Sequence, residues 1–246
     1  MQYSRRSYRQ ALSAGDMESF AVAVKETDLW ITVDKSVPVS GLPGKVEHFI
    51  WQKRRLLEDY IEKDPLFART LLPHLVQEGA PPIALEMARA GNMAGVGPMA
   101  AVAGALAQAV GKWLLRISPQ VIVENGGDIF LCCQRPVRVG IFAGESVFSR
   151  KLALKLETRG EQRGVCTSSG TVGSSYSMGR ADAAVVIADD AALADAVATA
   201  AANRVQDEGD LKKALDFARS IPGVKGSLII LGEKLAASGE IQLVEY

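Results

Sequence analysis

From Ala90 to Gly111 the chain runs without a single charged side chain, and a stretch of that length must either span a bilayer or be covered by protein. Its composition favours cover. Asn92, Pro98, Gln108 and five glycines interrupt it, and its apolar residues are mostly alanine, the make-up of a buried loop feeding a closely packed helix. Gly95-Val96-Gly97 marks the loop, and Pro98 falls in the first helical turn, where its missing N–H does no harm. The remaining residues must then build a core large enough to enclose this segment. At 246 residues, 48% hydrophobic and 23% charged, the chain has the composition of one globular domain spanning 1–246.

Charge narrows the partners. With 28 Lys plus Arg against 28 Asp plus Glu, there is no net basic field to neutralise phosphates, so no nucleic-acid partner is expected. Arg5, Arg6 and Arg9 are followed by Ala11, Ser13, Gly15, Asp16 and Glu18 rather than an apolar run, so neither a signal peptide nor a lipoprotein anchor is expected, and no membrane partner. Of the three cysteines, Cys132 and Cys133 are neighbours on an apparent strand and must face opposite ways. No disulfide framework follows, and the expected compartment is a reducing cytoplasm. With only His48 and His74 and no Cys-x-x-Cys, a zinc site of nitrogen and sulfur ligands is not expected. A small-molecule ligand is the expected partner, and exposed sheet edges with a neutral surface balance point to a homo-oligomer.

Periodicity sets the class. Phe20 to Val24 and Leu29 to Val33 read as strands around the turn Lys25 to Asp28, followed by a loop from Lys35 to Lys45. From Val46 the apolar spacing becomes helical until Asp64-Pro65, and Leu66 to Val76, Ile83 to Ala90, Leu193 to Val205 and Leu211 to Ala218 are further helices. Val121 to Val123, Ile129 to Cys133, Val137 to Phe142, Val185 to Ala188 and Leu228 to Leu231 read as strands. Irregular alternation with tight turns predicts an α+β fold with a largely antiparallel sheet and packed helices.

Three segments carry chemistry. Asn125-Gly126-Gly127-Asp128 sits between two apolar strands; its glycines permit positive φ or close approach of a ligand, and Asn125 and Asp128 offer an amide and a carboxylate. The same pattern is a strong hairpin signal. The run from Cys166 to Ser177, with Thr167, Ser168, Ser169, Gly170 and Thr171 at its start, reads as a hydroxyl-rich loop able to cradle an anion, or as a polar surface loop. The Gly97-Pro98 turn is a second, weaker anion candidate at a helix start. Asp195, Thr199 and Asn203 recur every four residues on an alanine-rich helix, forming either a hard-cation stripe or a solvated face, with Leu193, Val197 and Val205 opposite. Cys166 has no sequence neighbour to lower its pKa and reads as an inert buried thiol.

In this order, Asn125-Gly126-Gly127-Asp128, Thr167-Ser168-Ser169-Gly170 and Ala194-Asp195-Ala196-Val197-Ala198-Thr199-Ala200 resemble the "NxGGD", "TSG" and "ADALATA" segments of the ApbE-like superfamily, whose characterised members are FAD:protein FMN transferases. The segment Gly95 to Gly104 and Gly179-Arg180-Ala181-Asp182-Ala183 resemble the signatures of its soluble UPF branch. The resemblance implies an ApbE-like, T-fold-related structure and magnesium held by Asp195 and Thr199. It also implies FAD or FMN beside Asn125, Gly126, Gly127, Asp128 and Thr167 to Thr171. The function it implies is a magnesium-dependent enzyme or a binder of a phosphate-bearing small molecule. The transferases' "HxIDPxTG" segment and their flavin-contacting front third are not recognisable here. That absence keeps open a non-catalytic accessory protein in anaerobic sulfide assimilation and homocysteine formation, in which Cys166 would become interesting as a sulfur carrier.

Overall fold

The computed structural model describes residues 16–171 and 178–246. The chain opens with the hairpin β1 (Met17–Val24) and β2 (Thr27–Asp34). Only Lys25 and Glu26 lie between the strands, so the turn is tighter than expected, and Lys25 takes a φ of 51° to close it.

Helix α1 (Leu42–Lys63) starts within the expected loop, because Gly41 at φ 73° and Pro43 in the first turn launch it before Val46. Its stripe Leu42, Val46, Ile50, Leu57 and Tyr60 is buried, and it ends at Asp64-Pro65 as the spacing predicts. The helix expected from Leu66 to Val76 is corrected: α2 (Pro65–Arg69) is a five-residue turn, and residues 70–81 are irregular. Pro73 accounts for this, since it lacks an N–H and drives Leu72 out of the helical region.

The charge-free segment folds as the end of α3 (Pro82–Ala94), a turn at left-handed Gly95, a 3-10 turn at Pro98–Ala101, and α4 (Val102–Leu114). The two helical arms meet at 105°. Among the described residues no single helix is long and apolar enough to cross a membrane.

The second half contributes β3 (Val121–Asn125), β4 (Asp128–Cys132), β5 (Val137–Gly140), β6 (Leu152–Leu156), β7 (Arg163–Ser168), β8 (Ala183–Ala188), α5 (Ala191–Ala202), α6 (Leu211–Ser220), β9 (Val224–Leu231), β10 (Lys234–Gly239) and β11 (Leu243–Glu245). Strands β6, β7, β10 and β11 are additions to the sequence reading. An eight-stranded sheet runs β1-β2-β3-β4-β7-β8-β9-β10 and a smaller one β11-β6-β5, with antiparallel pairing throughout.

Strand alternation divides the core. Val121, Val123, Phe130, Cys132, Cys166 and Val186 pack under the helices, whereas Ile122, Ile129, Leu131, Cys133, Val165, Val185 and Ile187 pack against the small sheet. Cys132 and Cys133 do face opposite ways, and all three thiols are free and buried. The resulting order is helices, large sheet, small sheet. Gly111 lets α4 lie directly on Phe130, where any side chain would strike the ring.

Candidate functional site

The β3–β4 connection is a two-residue turn. Gly126 and Gly127 have φ of 71° and 110°, a conformation that side-chain-bearing residues rarely adopt. The Glu124 carboxylate accepts the Gly127 N–H at 2.9 Å and locks the turn. Asn125 and Asp128 are cross-strand partners, and the Asn125 amide donates to the Ala103 carbonyl at 3.1 Å, which fixes this hairpin end against the start of α4. The pattern is therefore a hairpin that also delivers two polar side chains to the helical face.

The hydroxyl-rich run is corrected at its start: Cys166, Thr167 and Ser168 belong to strand β7, and their backbone is committed to the sheet. The β4–β7 register, Ile129 with Val165, continues to set Cys166 beside Asp128. Thr167 pairs with Val185 of the small-sheet core and so faces away from Cys166 and from Asp128. Ser168 returns to the helical side and is buried. Beyond the strand, Ser169 Oγ accepts the Thr171 N–H at 3.0 Å, Gly170 N–H donates to the Ala181 carbonyl at 2.8 Å, and Thr171 Oγ1 donates to Asp182 Oδ1 at 3.0 Å. A side chain at Gly170 would strike the Gly179 carbonyl. Residues 172–177, the rest of the expected loop, lie outside the described residues.

Helix α5 is buried almost all round, and Asp195 and Thr199 are its only two half-buried positions. The polar stripe is thus a narrow opening in a core helix. Asp195 Oδ2 accepts the Gly104 N–H at 2.9 Å, with the Ala103 N–H also bonded to the carboxylate. These are amides of the first turn of α4, which has no cap from its own segment. Asn203 instead accepts the Met178 N–H at 2.8 Å, ending the stripe in a loop contact. At the Gly97-Pro98 turn the N–H groups of Val96, Gly97 and Ala100 are already committed, donating to the Gly91, Leu71 and Gly97 carbonyls.

Burial first, and then the negative charge of Asp128, push the Asp195 carboxyl well above the usual carboxylate range, against the pull of the two amides. Burial likewise raises the Cys166 thiol far above its ordinary value, helped by Asp128 and Asp195. Its Sγ donates to the Ala191 carbonyl at 3.3 Å. Cys166 therefore sits in a buried pocket beside two carboxyls, the opposite of the electropositive setting that a sulfur-carrying thiolate requires.

One cluster thus gathers Asn125, Asp128, Cys166, Asp195 and, one turn along α5, Thr199. Among the described residues no group of three or more His, Cys, Asp or Glu is arranged to hold a metal. Asp128, Asp195 and Thr199 carry oxygen atoms, the donor type that hard cations take. Two open clefts, of about 450 and 390 Å³, lie elsewhere, beside His48, Phe49 and Trp113 and beside Lys155, Arg163 and Gln242. Neither contains Asp128, Asp195 or Thr199, and the carboxylate cluster carries the more specific chemistry. Ala103 and Gly104 are site residues that sequence reasoning missed as carboxylate-binding amides. The small residue at Gly104 was the available signal, since any side chain there would meet the Ala191 carbonyl and the Asp195 side chain.

The family described as AbpE bacteria matches residues 9–237. A UPF0280 protein of Methanosarcina barkeri is 43% identical, covering 90% of this chain and 86% of its own. One from Methanocaldococcus jannaschii is 40% identical over 89% and 90%. Among solved structures, a mutant form of the flavin transferase ApbE from Vibrio cholerae superposes with a TM-score of 0.59 at 14% identity, covering 91% of this chain and 98% of that one. The ApbE protein of Thermotoga maritima gives 0.57 at 14%, over 90% and 97%. At such identities the structural likeness establishes the ApbE-like fold.

Proposed function

The chain belongs to the AbpE bacteria family and to its UPF0280 branch, and from that premise we propose that it binds a phosphate-bearing small molecule, a flavin nucleotide first among them, with magnesium held by Asp195 and Thr199. The observation that carries the reading is the closeness of Asp128 to Asp195, whose carboxylate is itself bonded to the first turn of α4, with the Asp195 carboxyl held high by burial and by its neighbour's charge. A divalent cation would favour the ionised carboxylate, and its own charge would offset that of a phosphate. The oxygen donor set fits magnesium better than a thiol-seeking metal. Asn125, Gly126, Gly127, Asp128 and Ser168 to Thr171 would face the nucleotide. Thr167 sits on the other face of the sheet and is the weakest member of that set. The flavin link is supported by the name of the Vibrio cholerae structural neighbour.

Calorimetric titration with FAD, FMN and adenine and guanine nucleotides, with and without magnesium, tests the reading. At least one ligand is expected to bind, and more tightly with the metal. Failure of every ligand removes the proposal.

A second reading rests on the same carboxylate. Asp195 already closes α4, a structural role that needs no ligand. On that reading the chain is a non-catalytic accessory protein, in sulfide assimilation by the resemblance. A deletion strain with no sulfur-related growth defect would count against it.

A further inference from the structure

Between Arg69 and Glu78 the chain carries eight residues with no Asp, Glu, Lys or Arg among them, Thr-Leu-Leu-Pro-His-Leu-Val-Gln. Three of its leucines stand in solvent: Leu71 is 63% exposed, Leu72 70% and Leu75 86%. Apolar side chains held out together in this way mark an interaction surface.

The ridge is held in place from beneath. The Leu71 carbonyl accepts the Gly97 N–H at 2.9 Å. The His74 N–H donates to Asn92 Oδ1 at 2.8 Å, and the Asn92 amide donates back to the His74 carbonyl at 3.1 Å. The His74 ring contacts buried Asp64 at 2.7 Å, and the Tyr60 hydroxyl donates to the same carboxylate while accepting the Gln77 N–H at 3.0 Å. An anchored backbone loses little further entropy on docking.

The sequence of the ridge also says what would cover it. About a two-fold axis between Pro73 and His74, an antiparallel crossing of the segment with its own copy sets Arg69 against Glu78 and Leu72 against Leu75, each pair occurring twice, with Leu71 over the half-buried Val76, which packs against the core of its own chain. Arg69 and Glu78 are both exposed and form no ion pair with another described residue. Such self-complementarity, apolar at the centre and opposite in charge at the two ends, is what an isologous contact requires. We propose that residues 69–78 form the two-fold interface of a homodimer of this chain. The ridge supplies the apolar centre, and the surrounding polar surface the remainder of the roughly 800 Å² per partner that a stable contact buries.

Sedimentation equilibrium of the full chain across micromolar concentrations tests this, and exposed positions allow variants that keep the fold. The wild type is expected at twice its 26.2 kDa chain mass. Leu72→Lys should weaken association on the order of a hundredfold. Glu78→Arg and Arg69→Glu alone should each weaken it about tenfold, and the double swap Arg69→Glu with Glu78→Arg should recover most of the loss, because the opposed charges are exchanged across the axis. A wild type that stays monomeric overturns the proposal, including one that instead co-sediments with neutral phospholipid vesicles. So does a dimer indifferent to Leu72→Lys, or a double swap no tighter than either single change.

Discussion

The Asp195 carboxylate accepts the backbone N–H of Gly104 at 2.9 Å, so a side chain of α5 closes the first turn of α4 across 91 positions of sequence. Capping and cation binding ask the same carboxylate for different things, and substitutions separate them. Asp195→Asn keeps an acceptor for the amides and removes a carboxyl whose ionisation burial and Asp128 both oppose. The metal-free variant should unfold at the same denaturant concentration as wild type or a higher one. Asp195→Ala loses the acceptor, leaves first-turn amides without a partner and should cost about 1–3 kcal/mol in the same measurement.

The pH dependence follows from the same group. The folded-state carboxyl is raised above its unfolded value of roughly 3.9, so the folded protein holds this proton at pH values where the unfolded chain has lost it. Its contribution is fully present below the unfolded value and is lost as pH rises through the raised folded value. Urea unfolding of metal-free protein should therefore show a stability component that declines with rising pH and is absent in Asp195→Asn.

Asp64 behaves oppositely. Burial pushes its carboxyl up, but hydrogen bonds from His74 and Tyr60 and the attraction of His74 outweigh it and leave it below the ordinary range. Its contribution is present above the unfolded value and lost as pH falls through the lowered one. Hydrogen exchange should show the amides of His74 and Gln77 losing protection on acidification or in Asp64→Ala, before the sheet does.

Gly104 and Gly44 make a matched pair of helical glycines. A methyl at Gly104 would meet the Ala191 carbonyl and the Asp195 side chain, whereas nothing lies within 4 Å of one at Gly44. Gly104→Ala should destabilise the chain by about 1–3 kcal/mol and disturb the carboxylate cluster. Gly44→Ala should stabilise it by about 0.5–1 kcal/mol. Thermal denaturation of both variants checks the contrast.

Much of the fold was legible because it is local. The alternation before and after Asn125-Gly126-Gly127-Asp128 announced the hairpin, and the glycines and Pro98 within the charge-free segment announced a buried loop entering a helix, though not that α3 runs on into the segment as far as Ala94. Strand β7 was hidden because its hydroxyls read as loop chemistry, although threonine and serine sit readily in a sheet whose neighbours supply the packing. The helix expected through Val76 failed at Pro73, a residue whose geometry was already in the sequence. The union of Asp128, Cys166, Asp195 and the α4 amides depends on strand register and on α5 lying over Gly164, where a side chain would strike Ala191. Spacing along one chain does not encode such contacts.

All three thiols should be inert. Burial pushes Cys133 up to about 12 and Cys132 upward, and it raises Cys166 far above its ordinary value with Asp128 and Asp195 reinforcing it. Native protein treated with a thiol-specific chromogenic disulfide at pH 8 should release no rapid colour, and denatured protein should release three equivalents. A rapid single equivalent from Cys166 would revive the sulfur-carrier role.

The central claim is that Asp195 links a divalent cation to a phosphate-bearing ligand, and parallel calorimetric titrations of FAD into wild type and Asp195→Asn, each with and without magnesium, test it most directly. The account predicts saturable binding to wild type that requires magnesium, and no such binding to a variant that melts at or above the wild-type temperature. FAD affinity that is equal in both proteins, or unchanged when magnesium is removed, would contradict it.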